Sequence, residues 1–152
     1  MNLPHYTTRL LIIHCVTIAA LFIGCTPRES DGSAASDAGT IVVNLVNDDY
    51  DEYIGRGIEY HTHMLAAGIK PGDEGWLGNP HPIGWCDRCL EYHTRPGCIE
   101  AFKKDFYQKV EADSVFRAQV ISLSGKRLGC YCKPEACHGD IIKAWLEGSN
   151  ET

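Results

Sequence analysis

Residues 125–148 read Gly125-Lys126-Arg127-Leu128-Gly129-Cys130-Tyr131-Cys132-Lys133-Pro134-Glu135-Ala136-Cys137-His138-Gly139-Asp140-Ile141-Ile142-Lys143-Ala144-Trp145-Leu146-Glu147-Gly148. Arg127 to Cys132 alternates as a strand does, with Cys130 and Cys132 on one face and Tyr131 on the other. Lys133-Pro134 turns the chain. Ile141, Ile142, Trp145 and Leu146 then fall on one face of a helix that Gly148 closes. A strand handing over to a helix within a few residues points to an α/β domain, and the rest of the chain is read outward from it.

Upstream, Ile41-Val42-Val43-Asn44-Leu45-Val46 is a β-branched run bounded by Gly39-Thr40 and Asn47-Asp48-Asp49, which predicts a buried strand. Tyr53-Ile54-Gly55 predicts a shorter second strand, and Glu59 to Ala67 one or two helical turns carrying His61 and His63. Lys70 to Cys98 is dense in glycine and proline and predicts a loop. A loop of that length inside a small domain must be pinned by something. Ile99, Phe102, Phe106 and Val110 follow helical spacing, and Asp113 or Ser114 can cap a second helix carrying Val115, Phe116, Ala118 and Val120. The predicted order is β, β, loop, α, α, β, α. Residues 41–148 therefore read as one small α/β domain, a short sheet with packed helices and a long Cys/Gly/Pro-rich loop.

The chain has 152 residues and a net charge of −6, with 8 cysteines and 7 histidines. All 20 acids lie beyond residue 25, where 13 of the 14 bases also lie. That balance argues against non-specific nucleic-acid binding, which needs clustered Lys and Arg. Residues 1–24 read as a signal-like leader: Arg9 precedes a nearly continuous apolar run, Leu10 to Ile23, shorter than the ~20 residues of a spanning helix. Its end, Leu21-Phe22-Ile23-Gly24-Cys25, resembles the lipobox of bacterial lipoproteins. That resemblance implies lipidation at Cys25, a flexible linker over 25–40, and a cell-envelope location with membrane contact only through the anchor. The alternative is a start site placed too far upstream of a cytoplasmic domain.

Cys86-x2-Cys89-x3-His93-x4-Cys98 is a tetrahedral zinc set that would clip the Gly/Pro-rich loop, so zinc is the expected cofactor. It resembles a zinc knuckle, one residue shorter between Cys89 and His93. In an oxidising compartment, the six cysteines left after removal of Cys15 and lipidation of Cys25 could instead form three disulfides. Cys130-x-Cys132-x4-Cys137-His138 offers a second metal set of three thiols and an imidazole.

The same residues allow another use. Cys137 and His138 arrive at a helix N-terminus, where a thiolate or an anion is favoured. Cys137 would then act as nucleophile, or His138 as acid/base beside Asp140, on a small anionic, nucleotide-like ligand. Arg56, Asn79, His81 and Lys133 are the candidates to hold that ligand. Tyr53-Ile54-Gly55-Arg56-Gly57 and Leu77-Gly78-Asn79-Pro80-His81 set glycine beside polar side chains, as pocket walls do. The simpler alternative packs Cys130 and Cys132 as small hydrophobes and leaves Asp140 a helix cap. A rival function is a non-catalytic, lipid-anchored envelope interaction module held by metal or disulfides. Whether the chain is an enzyme stays open.

Three blocks together carry a family resemblance: Val42-Val43-Asn44-Leu45 with Tyr53-Ile54-Gly55-Arg56, then Leu77-Gly78-Asn79-Pro80, then Gly125 to Pro134 running into Cys137-His138-Gly139-Asp140. They resemble Domain of Unknown Function 4326, a family of small bacterial and phage proteins, over about residues 41–147. The resemblance implies a compact α/β domain and brings no reaction. Where the family continues Asn-Pro with an aromatic residue, this chain has His81.

Overall fold

The computed structural model describes residues 39–149. The expected leader (1–24), Cys25 and all but the last two residues of the expected linker lie outside them. The strand expected at Arg127–Cys132 is shorter, Arg127–Cys130, and is the central strand of a three-stranded parallel sheet. Numbered in chain order it is β5, flanked by β1 (Ile41–Asn44) and β2 (Glu52–Tyr53). Val42 pairs with Leu128 on one side, and Glu52 with Leu128 on the other. Because β1 and β2 flank β5, the segment joining them must cross it. Gly129 makes room for that crossing, since a Cβ there would lie 2.6 Å from Cγ of Tyr50.

Three helices pack with the sheet: α1 (Arg95–Ala112), α2 (Ser114–Ile121) and α3 (Gly139–Ser149). Thr94 caps α1 and Asp113 caps α2, the latter accepting from the N–H groups of Val115 and Phe116. The buried stripe of α1 is Cys98, Phe102, Phe106 and Val110, so Cys98 takes the place expected for Ile99. Phe102 stacks on Phe106 at 5.6 Å between ring centres, and Phe106 meets Phe116 and Trp145 edge-on. Leu128, Ile142 and Leu146 complete this core from β5 and α3. Gly139 lets α3 start directly on the sheet: a Cβ there would lie 2.6 Å from Ile54 Cδ1 and 2.9 Å from Val42 Cγ1.

The run expected as a buried strand over Ile41–Val46 is strand only to Asn44, with Ile41 exposed and the rest half-buried, and the second strand is Glu52–Tyr53 rather than Tyr53–Gly55. Two longer stretches also differ from expectation. Glu59–Ala67 is not helical; a single 3₁₀ turn, Ile58–Tyr60, precedes an irregular path. Hydrogen bonds to distant segments win over the local helix: His63 N–H donates to the Gly75 carbonyl, and the Thr62 hydroxyl to that of Gly78. His61 and His63 are exposed there. Within the predicted loop, Gly84–Cys86 (β3) and Glu91–His93 (β4) form an antiparallel hairpin. Three-residue strands beside Gly and Pro are too short to show a period in sequence. Trp76 is core, its indole N–H bonded to Glu52, while Trp85 stands half exposed on the hairpin. No helix among the described residues is long and apolar enough to cross a membrane.

Candidate functional site

The hairpin turn returns Cys89 toward Cys86: Leu90, at φ +58°, donates its N–H to the Cys86 carbonyl at 2.8 Å. His81 enters from the Asn-Pro segment, its N–H held by Asn79 Oδ1 at 2.8 Å. Its Nδ1 lies 3.6 Å from Cys86 Sγ and 3.2 Å from Cys89 Sγ. With His93, these residues present four ligand atoms within 4.8 Å of one another. A tetrahedral ion with ~2.3 Å bonds to sulfur and ~2.0 Å bonds to nitrogen spaces its ligands about 3.4–3.8 Å apart, so the group is close to the size required.

The surroundings fit a cation as well. His81 Nε2 lies 3.1 Å from Asp105 Oδ2, which also accepts from Arg88 Nε at 2.8 Å. That carboxylate keeps the proton on Nε2 and leaves the Nδ1 lone pair facing the sulfurs. His93 is 8% exposed, and its buried Nε2 has no partner among the described residues. Burial and the adjacent Cys86 push the Cys89 thiol up. Burial pushes the His81 imidazole down, against the pull of Asp105. A bound cation would replace the thiol protons and satisfy the orphaned nitrogen.

Cys98, expected as the fourth ligand, is not in this group; His81 is there instead. One turn into α1, Cys98 begins the helix's buried stripe, and its thiol donates to the Arg95 carbonyl at 3.1 Å. The spacing His81-x4-Cys86-x2-Cys89-x3-His93 carried the signal, two histidines bracketing a Cys-x2-Cys pair.

The second group joins the end of β5 to the start of α3. Cys130, Cys132, Cys137 and His138 also present four ligand atoms within 4.8 Å of one another. Adjacent Cys137 and His138 both reach it because Cys137 occupies the helix cap. Its Sγ accepts from Gly139 N–H at 3.3 Å, and its own N–H donates to Asp140 Oδ2 at 3.1 Å, the reciprocal pattern of a capping box. His138 then turns inward: Nε2 meets the Ile54 carbonyl at 2.8 Å, the ring stands edge-on to Phe102, and Nδ1 lies 3.8 Å from Cys137 Sγ.

The charges of this group are set jointly. Contacts with Cys130, Cys137 and His138 hold the Cys132 thiol down, whereas contacts with Cys130 and Cys132, with burial, push Cys137 up. Burial alone would lower His138, but the sulfurs of Cys130 and Cys132 outweigh it and raise the imidazole to about 9. Cys137 is 1% exposed, and its neighbouring thiols and burial push its own thiol up. Asp140 caps α3 and takes Lys133 Nζ at 2.6 Å. Of the residues expected to be catalytic, Cys137 and His138 belong to the thiol–imidazole group and Asp140 caps the helix beside them, with Lys133 paired to that cap.

A cleft of about 630 Å³ opens at the C-terminal ends of β2 and β5. Cys130, Cys132 and His138 form part of its wall, and Cys98 faces it from α1. Arg56 and Asn79 line it too. Arg56 donates through Nε to the Asn79 carbonyl and through Nη2 to that of His81, each at 2.7 Å. The two glycine-bearing segments do meet: a Cβ on Gly78 would lie 2.9 Å from the Gly55 carbonyl oxygen. His81 adjoins the cleft through the carbonyl that Arg56 grips, its ring being committed to the hairpin group. The six cysteines of the described residues are all free of disulfides.

A family model described as a domain of unknown function (DUF4326) matches residues 43–148. An Enterobacteria phage T4 protein, described as an uncharacterized 12.4 kDa protein in the nrdA-td intergenic region, is 49% identical over 49 residues, which is 32% of this chain and 45% of that protein. The match thus spans less than half of the phage protein's length. No solved structure matches.

Proposed function

The chain belongs to the DUF4326 family, and from that premise we propose that it is a zinc-binding α/β domain whose sheet-edge cleft takes a small anionic, nucleotide-like ligand. The observation that carries the metal reading is the buried, partnerless Nε2 of His93 in a group where Asp105 already turns the His81 lone pair toward two thiols. Thiolate and imidazole together favour zinc, and sets of four protein ligands belong to structural rather than catalytic sites. His81, Cys86, Cys89 and His93 would hold one ion, and Cys130, Cys132, Cys137 and His138 another. In this reading the first ion closes the hairpin and the second fixes one wall of the cleft. The anionic ligand is supported by Arg56 and by the start of α1, which border the same space.

Metal analysis with a thiol titration tests this. Two zinc ions per chain are expected, with Cys98 the one cysteine of the described residues that reacts before a chelator is added. His93→Ala should lower the content to one zinc, and Cys98→Ala should leave it at two. Protein with neither metal nor free thiols, its cysteines paired as disulfides, sinks the proposal.

A further inference from the structure

Neither Arg56 nor Arg95 pairs with a carboxylate among the described residues, although the chain carries an excess of acids. The contacts they do make are with carbonyls: Arg56 with those of Asn79 and His81, and Arg95 Nη1 with that of Ala136 at 3.4 Å. Such contacts orient a guanidinium without neutralising it. Both line the cleft, and both pull the Cys98 thiol down against the larger effect of burial, so their charges converge on one region. The first turn of α1 borders that region and adds the partial positive charge of a helix N-terminus. Among the described residues Glu59 is the one acid on the cleft wall, and it faces His61 at 4.0 Å.

The rim of the same cleft is aromatic and exposed. Tyr60 is 82% and Tyr131 65% exposed, and Ile83 lies beside them on the lining. Tyr60, at φ +64°, and Glu59, at φ +53°, hold left-handed backbone that non-glycine residues seldom adopt, and such strain gathers at ligand sites. A cationic interior under an aromatic rim matches a ligand with a compact anion at one end and a flat ring at the other. The volume lies within the roughly 300–1,000 Å³ of small-molecule clefts.

We propose that the cleft recognises a nucleoside monophosphate unit, its phosphate on Arg56 and Arg95 and its base against Tyr60 and Tyr131. This rests on the anionic-ligand reading above and makes it specific. Arg95 is the binding residue the sequence did not disclose. The unit can be a free nucleotide or the phosphorylated end of a strand.

Calorimetric titration of the zinc-loaded full chain tests it with inorganic phosphate, a mixture of the four nucleosides, each of the four nucleoside 5′-monophosphates, and a short oligonucleotide with or without a 5′-phosphate. At least one monophosphate, or the phosphorylated strand, should bind about tenfold or more tighter than phosphate or nucleosides. The probe that does so identifies the source. Arg95→Gln should erase the gain from the phosphate and leave nucleoside binding. Tyr131→Ala or Tyr60→Ala should erase the gain from the base and leave phosphate binding, and every variant should keep two zinc ions. Phosphate binding as tightly as any nucleotide overturns this inference while the anionic-ligand reading stands. Binding of no phosphate-bearing probe overturns both.

Discussion

The hairpin group stands on two strands of three residues whose neighbours Trp85, Leu90 and Tyr92 are exposed, while the group at the β5–α3 junction is set into the core, with Cys130 and Cys137 among its residues and Phe102 against His138. The two sets offer similar ligands, each with three members buried and one half-buried, but on scaffolds of very different extent. A two-stranded hairpin of that length has too little apolar surface to be stable alone. There a bound metal would do what a core does elsewhere, because the free energy of binding becomes free energy of folding. At the junction the sheet and its aromatic layer already define the backbone. A metal there would fix side chains lining the cleft more than it would fold the chain.

The largest effect should come from removing metal altogether. Chelation is expected to lower the melting temperature by on the order of 20 °C, with the β3–β4 amides losing hydrogen-exchange protection and those of β5 keeping much of theirs. Equal loss in both regions would erase the contrast between them. Next comes Phe102→Ala, which removes a fully buried ring and should cost about 3–5 kcal/mol in urea unfolding. Trp85→Ala on the hairpin should cost about 0.5 kcal/mol or less. Comparable costs would mean that the hairpin has a core of its own.

Asp105→Asn sharpens the contrast at smaller cost. It leaves every ligand in place but removes the carboxylate that orients His81, so zinc at the hairpin should bind roughly 10- to 100-fold more weakly in competition with a chromogenic chelator. The junction zinc should be unchanged. The smallest effect is expected at Asp113, remote from both groups. The Phe116 N–H and then Lys109 hold its carboxyl below the ordinary 3.8. The folded state therefore favours the ionised form, and that contribution is present above pH 3.8 and lost as pH falls through the lower folded value. The stability gap between the native chain and Asp113→Asn should accordingly close toward acid; a gap that widens there contradicts the cap's role.

Much of this was legible because it is local. The spacing of Phe102, Phe106 and Val110, the Asp113 cap and the β5-to-α3 handover depend on neighbours a few residues apart, and each stands where the residues pointed; the β1 run does form a strand, but one that stops at Asn44 and is only half-buried. The hairpin did not announce itself, because strands of three residues show no period. The turns expected over Glu59–Ala67 lost to hydrogen bonds donated by His63 and Thr62 to the carbonyls of Gly75 and Gly78, which no local pattern encodes.

By itself the sequence determined which residue types were available for metal chemistry, and that Cys86 and Cys89 would sit together, since two intervening residues leave a turn little choice. The tertiary structure alone decided the fourth member. Cys98 is close to His93 along the chain, but the first turn of α1 carries it to the core and the cleft. His81 reaches the thiols because Asn79 and Asp105, on separate elements, hold its two ends. That Arg56 and Arg95, 39 residues apart, line one cleft is of the same kind. Chain spacing sets what a turn can bring together, and only the packing of sheet and helices sets which distant charges share a cleft.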